Sequence, residues 1–101
     1  MRKTKEEFFK NVDALNYSIF SKTGKRYFNL CRDRNFCKGT RESGTSFILK
    51  LDALYQAYQE CDTINTAILK DKGYIKGWKR SPALAILRAT GLVGEDGKTM
   101  K

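Results

Sequence analysis

The 101-residue chain predicts an α+β fold: a small antiparallel sheet, made of a hairpin and a strand over 46–51, packed against about four short helices in a single domain. Three observations carry that reading. Phe47, Leu49 and Leu51 alternate with Ile48 and Lys50, the period of a strand with one buried side. Residues 17–20 and 26–30 have the composition of two short strands around a turn containing Thr23-Gly24, which reads as a hairpin. Elsewhere apolar residues recur at helical spacing, as in Phe8, Val12 and Leu15 or Leu54, Tyr58 and Cys61. A chain of this length supports one core rather than two. Its composition, 41% hydrophobic and 31% charged, is that of a folded globule.

The elements follow in order. Thr4 with Glu7 three residues later forms a capping box, in which each side chain satisfies a backbone N–H at a helix start; the helix covers about 5–15. After the hairpin, residues 31–46 mix glycine and polar residues around Phe36 and Cys37, and a short strand near 35–38 is expected. The strand over 46–51 passes almost directly into a helix that Asp52 caps. A helix of about two turns follows, capped by Thr63 or Asn65, with Ile64, Ile68 and, as a further candidate, Leu69 facing inward. Ser81 is expected to cap the last helix, with Pro82 in its first turn, where a missing N–H costs nothing, and Gly91 at its end. Residues 1–93 form the expected globular domain, and 94–101 a flexible C-terminal tail.

The formal net charge is +9, which draws in phosphates and implies a polyanionic partner. The excess is localised. Between Lys22 and Arg41 stand seven basic residues and one acid, and between Lys70 and Arg80 five basic residues and one acid. The rest of the chain carries eight basic and nine acidic residues.

Three cysteines, Cys31, Cys37 and Cys61, cannot all pair within one chain, and no secretory segment precedes them. A reducing, cytoplasmic setting is the expectation. With no histidine in the chain and Cys31 and Cys37 at an unsuitable spacing, no metal site is expected. No apolar run reaches the roughly 20 residues that span a bilayer, so no membrane partner is expected. No glycine-rich phosphate loop precedes a Lys-Ser or Lys-Thr pair, and no small-molecule cofactor is expected.

General acid–base catalysis recruits histidine or shifted carboxylates. Only Asp33, Glu42 and Asp71 lie in or near the basic segments, short of the converging set a metal-dependent nuclease requires. No catalytic residue is assigned.

The contact surface must then be a binding surface. The last helix, with Leu84, Ile86, Leu87 and alanines at 83, 85 and 89, is apolar around most of its circumference and belongs in the core. The segment in front of it combines Lys70, Lys72, Lys76, Lys79 and Arg80 with Tyr74 and Trp78, cations for phosphates and rings for bases. The alternative role of Tyr74 and Trp78 is to anchor that loop on the last helix. The helix start at Ser81 is a further candidate phosphate position. The hairpin supplies a second cluster in Lys22, Lys25 and Arg26, continued by Arg32, Arg34, Lys38 and Arg41, as in the wing or ribbon of a nucleic-acid-binding module.

Residues 64–93, two helices around a basic loop, resemble the helix-loop-helix part of winged-helix domains. The connection is longer than the usual 3 to 4 residue turn, and no functional residue is carried over from the resemblance. The expected function is a small non-catalytic nucleic-acid-binding protein, DNA or RNA. The alternative is an adaptor or inhibitor whose basic, aromatic surface docks on an acidic protein or a nucleic-acid-processing enzyme.

Overall fold

The computed structural model describes residues 3–100; Met1, Arg2 and Lys101, at the ends of the expected domain and tail, lie outside the described residues. Within them the chain runs α1 (Lys5–Asp13), β1 (Ile19–Phe20), β2 (Arg26–Asp33), β3 (Phe36–Arg41), β4 (Ser46–Lys50), α2 (Leu51–Glu60), α3 (Thr66–Asp71), a single 3₁₀ turn (Gly77–Lys79) and α4 (Arg80–Ala89). The strands form one antiparallel meander in the order β1-β2-β3-β4. This is the α+β architecture expected from the sequence.

The inner face of the sheet carries Ile19, Tyr27, Cys37, Phe47 and Leu49, which join Phe8 and Val12 of α1, Leu54 and Tyr58 of α2, and Ala83, Ile86 and Leu87 of α4 in one core. The Thr4–Glu7 capping box is present at the start of α1. Fully burying a large apolar side chain contributes about 1.5–3 kcal/mol. That is why α4, with five of its residues buried, lies mostly in the core, and only its half-buried positions Arg80, Ser81, Leu84 and Arg88 line a surface depression.

β2 contains a one-residue bulge. Phe28 pairs with Thr40, but Cys31 pairs with Lys38, so three steps on β2 match two on β3, and Asn29 takes φ 54°. Past a bulge the alternation of sides restarts. Leu30 and Arg32 therefore turn inward, and Cys31 and Asp33 outward. Opposite Leu30, Gly39 is buried, and a Cβ there would sit 2.5 Å from Phe47 Cζ and 2.9 Å from Leu30 Cδ2. Only glycine fits beneath that ring.

Several boundaries differ from the sequence reading. Leu51 opens α2 rather than closing the strand, its N–H donating to the Asn35 carbonyl at 2.7 Å. Asp52 consequently stands in the first turn of α2 and not at its cap, where it favours the positive end of the helix dipole and pairs with Lys5 at 2.5 Å. The strand expected near 35–38 extends to Arg41 because β4 pairs with it from Phe36 to Thr40 and β2 pairs with Arg41 through Tyr27. The first hairpin strand is only two residues long. Ser81 is no cap either: the 3₁₀ turn runs into α4, and the Arg80 N–H donates to the Gly77 and Trp78 carbonyls.

Residues 94–100 do not hang free: the Ile64 N–H donates to Gly97 O, the Thr99 N–H to Asp62 O and the Met100 N–H to Leu92 O, while the Tyr58 hydroxyl donates to Met100 O at 3.0 Å. Small isolated bridges join Thr63 to Lys98 and Val93 to Thr99. Polar residues in a glycine-rich sequence look frayed until a partner supplies their hydrogen bonds. Among the described residues no helix is long and apolar enough to cross a membrane.

Candidate nucleic-acid interface

Two sequence-distant basic segments meet beside Trp78. The antiparallel pairing of Tyr27 with Arg41 brings the hairpin turn and the end of β3 together, and the 3₁₀ turn places Trp78 against them. The Arg41 guanidinium lies 4.6 Å from the Trp78 ring centroid, and the Trp78 and Phe47 rings are nearly perpendicular with centroids 6.1 Å apart. Lys25, Arg41, Trp78, Arg80 and Ser81 line a cavity of about 190 Å³. It adjoins a second, of about 420 Å³, whose walls include Lys22, Lys25, Thr66, Ser81 and Arg88.

The two cavities form one cleft with five cations (Lys22, Lys25, Arg41, Arg80 and Arg88), and no carboxylate is among the described residues lining it. Nor does any of the five pair with an acid among the described residues. Arg80 is held in place by backbone carbonyls, its Nε donating to Gly77 O at 2.7 Å and Nη1 to Thr66 O at 3.4 Å. Arg88 Nη2 donates to Phe20 O at 3.4 Å, while its Nη1 is buried with no partner among the described residues. Trp78 keeps 39% of its surface exposed.

The remaining candidate residues are distributed elsewhere. Lys76 and Lys79 turn the other way along the same segment and line a separate depression of about 220 Å³ with Ile48, Lys50 and Tyr74. Lys70 and Lys72 stand exposed at the end of α3 and outside the cleft. The Tyr74 hydroxyl donates to the Glu60 carboxylate in a short hydrogen bond; that bond pushes the phenol well above its ordinary value and holds the Glu60 carboxyl below its own. Tyr74 thereby ties the loop to the end of α2.

Arg26 projects from the outer face of the sheet, its guanidinium 4.6 Å from the Phe28 ring centroid and its Nε donating to Ser18 Oγ. Arg32 and Arg34 are at the far end of β2, about 20 Å from the hairpin turn at the rise of a strand. Arg32 is engaged by α1: Nε and Nη2 donate to the two Asp13 carboxylate oxygens at 2.7 and 2.9 Å, with Phe9 beneath the guanidinium. The bidentate pair lowers the Asp13 carboxyl below its ordinary range. Arg34 occupies the β2–β3 turn with φ 57°.

Arg88 belongs to the cleft although it lies in neither basic run, and Arg41 belongs to it although, within the first run, it was not singled out as a contact. Arg41 was visible only as the last member of the first basic cluster, and Arg88 only as one cation in an apolar helix. Cys31 and Cys37 point to opposite faces of the sheet, one exposed and one buried, and burial pushes the Cys37 thiol up to about 11. Among the described residues no group of three or more cysteine and carboxylate side chains could hold a metal. No protein-family model, no curated protein and no solved structure matches this chain.

Proposed function

We propose that this chain is a non-catalytic nucleic-acid-binding domain that holds backbone phosphates in the cleft beside Trp78. The observation that carries the reading is the convergence of Lys22, Lys25, Arg41, Arg80 and Arg88, from three separate parts of the chain, on a cleft without a lining carboxylate. Like charges gathered without counter-charges repel one another, and a phosphate backbone relieves that repulsion while releasing its own counterions. Arg88 Nη1, without a partner among the described residues, adds to it, since a buried cationic donor without an acceptor is costly. The helix dipole contributes little, because the 3₁₀ turn already occupies the N–H of Arg80.

Fluorescence anisotropy with labelled duplex and single-stranded oligonucleotides, at several salt concentrations, tests the reading. Affinity should fall with salt by about 0.9 log units per log unit of salt for each phosphate neutralised on duplex DNA, and about 0.7 on a single strand. Replacing Lys25, Arg41 and Arg80 together with alanine should weaken binding on all sequences alike and flatten the salt slope. Binding that ignores salt, or a triple variant that binds as well as wild type, would remove the cleft from the function.

A further inference from the structure

We propose that the uncovered outer face of the sheet is a platform for unpaired bases, so that the nucleic acid held by the cleft is single-stranded. The inference rests on the cleft reading and extends it to a second surface. Of the large apolar side chains exposed among the described residues, Phe20 (56%), Phe36 (40%) and Ile48 (50%) stand on this face, and Tyr17 (57%) flanks it. Strand register fixes the arrangement: Phe20 faces Arg26, Cys31 and Ile48 flank Lys38, and Asp33 and Lys50 flank Phe36. Phe28, half-buried under Arg26, completes a row of three rings spread over roughly 20 Å of sheet.

Two features select the occupant. Lys38 pairs with Asp33 at 3.7 Å, which leaves Arg26 and Lys50 as the cations in excess among these residues, so a second copy of the chain would bring like charges together. A neutral apolar segment would leave the cations unused, whereas a single strand supplies flat rings for the phenylalanines and phosphates for the cations. Paired bases in a duplex present no open faces to such rings. The face also adjoins the cleft: Lys25 lines the cleft, its neighbour Arg26 stands on the sheet, and a groove of about 260 Å³ lined by Lys25, Arg26, Tyr27, Arg41, Ser43 and one carboxylate, Glu42, joins them.

Cys31 reports on this face directly, being exposed in the middle of it, while Cys37 and Cys61 are buried. The experiment measures iodoacetamide alkylation of Cys31, located by mass spectrometry, with and without oligouridylate, oligothymidylate or duplex DNA, alongside anisotropy for wild type and the Phe20→Ser/Phe36→Ser variant. Both single strands should slow Cys31 alkylation, and the double variant should lose about tenfold or more in single-strand affinity while duplex affinity holds. A strand that binds with normal salt dependence but leaves Cys31 alkylated at the free rate overturns the platform and leaves the cleft standing. So does a double variant with unchanged single-strand affinity. Concentration-dependent self-association that shields Cys31 without nucleic acid would assign the face to a second copy instead. Wild-type protein that binds none of the oligonucleotides removes both readings.

Discussion

The Arg41 guanidinium stacks on Trp78 at 4.6 Å from the ring centroid, joining the end of β3 to the turn that enters α4. Phe47 abuts the same indole from the edge, so the contact ties the cleft wall to the core. The pair orients one cleft cation and holds the indole half-exposed beside it.

Arg41→Ala should lower stability by about 0.5–1 kcal/mol, the worth of an exposed cation–π contact, and reduce nucleic-acid affinity and its salt slope. Arg41→Lys keeps the charge and loses the planar stacking. It should show most of the stability loss with the salt slope retained. Emission from Trp78, the chain's one tryptophan, and chemical denaturation measure both effects.

Gly39→Ala should cost about 1–3 kcal/mol, as overpacking of a closed site does, because Phe47 Cζ lies 2.5 Å from where the new Cβ would stand. The ring cannot swing aside easily: Tyr27 and Trp78 both meet it edge-on. Adding Phe47→Leu to Gly39→Ala should recover part of the overpacking loss relative to Phe47→Leu alone, read as coupling in a double-mutant cycle of thermal unfolding.

Arg32→Ala should behave unlike Arg41→Ala. It removes the bidentate pair with Asp13 and the contact with Phe9, and should destabilise by about 1 kcal/mol or less, as expected for a solvent-exposed pair. Nucleic-acid affinity measured at fixed salt should stay close to wild type, since this guanidinium is held by α1 far from the cleft.

The Glu60 carboxyl is held below its ordinary 4.5 first by the Tyr74 hydroxyl and next by Gln56. A depressed folded value stabilises the fold above the unfolded value, and that contribution is lost as pH falls through the folded one. Tyr74→Phe should therefore lower stability at neutral pH and make the decline below about pH 4.5 shallower. Melting temperatures of wild type and variant across that range should converge toward the acid end.

Truncation after Val93 should destabilise the fold by roughly 2–4 kcal/mol, from several hydrogen bonds at about 0.5–1.5 kcal/mol each. It strips the acceptors and donors that 94–100 supply to Asp62, Ile64, Leu92 and Tyr58. A truncated chain that melts with wild type would mean that these bonds are replaced by water at no loss.

The basic character of the chain, its α+β class, the burial of α4 and the capping box at Thr4 were all legible in residue order, because each follows from composition or from a local period. Element ends were less legible. Whether Leu51 finishes a strand or starts a helix depends on the Asn35 carbonyl, and whether Ser81 caps depends on the 3₁₀ turn before it; neither partner is marked in the local pattern.

The two basic runs illustrate the division most sharply. Sequence alone determined that cations are concentrated, that one helix is too apolar to read a groove, and that aromatic residues accompany the charge. Tertiary structure decided which cations act together. The bulge at Asn29 turns Arg32 inward to Asp13, strand pairing carries Arg41 to Trp78, and α4 delivers Arg88 from an otherwise apolar stretch. A side chain's direction in a sheet depends on register with its neighbours, and register is a long-range property that no local window of residues contains.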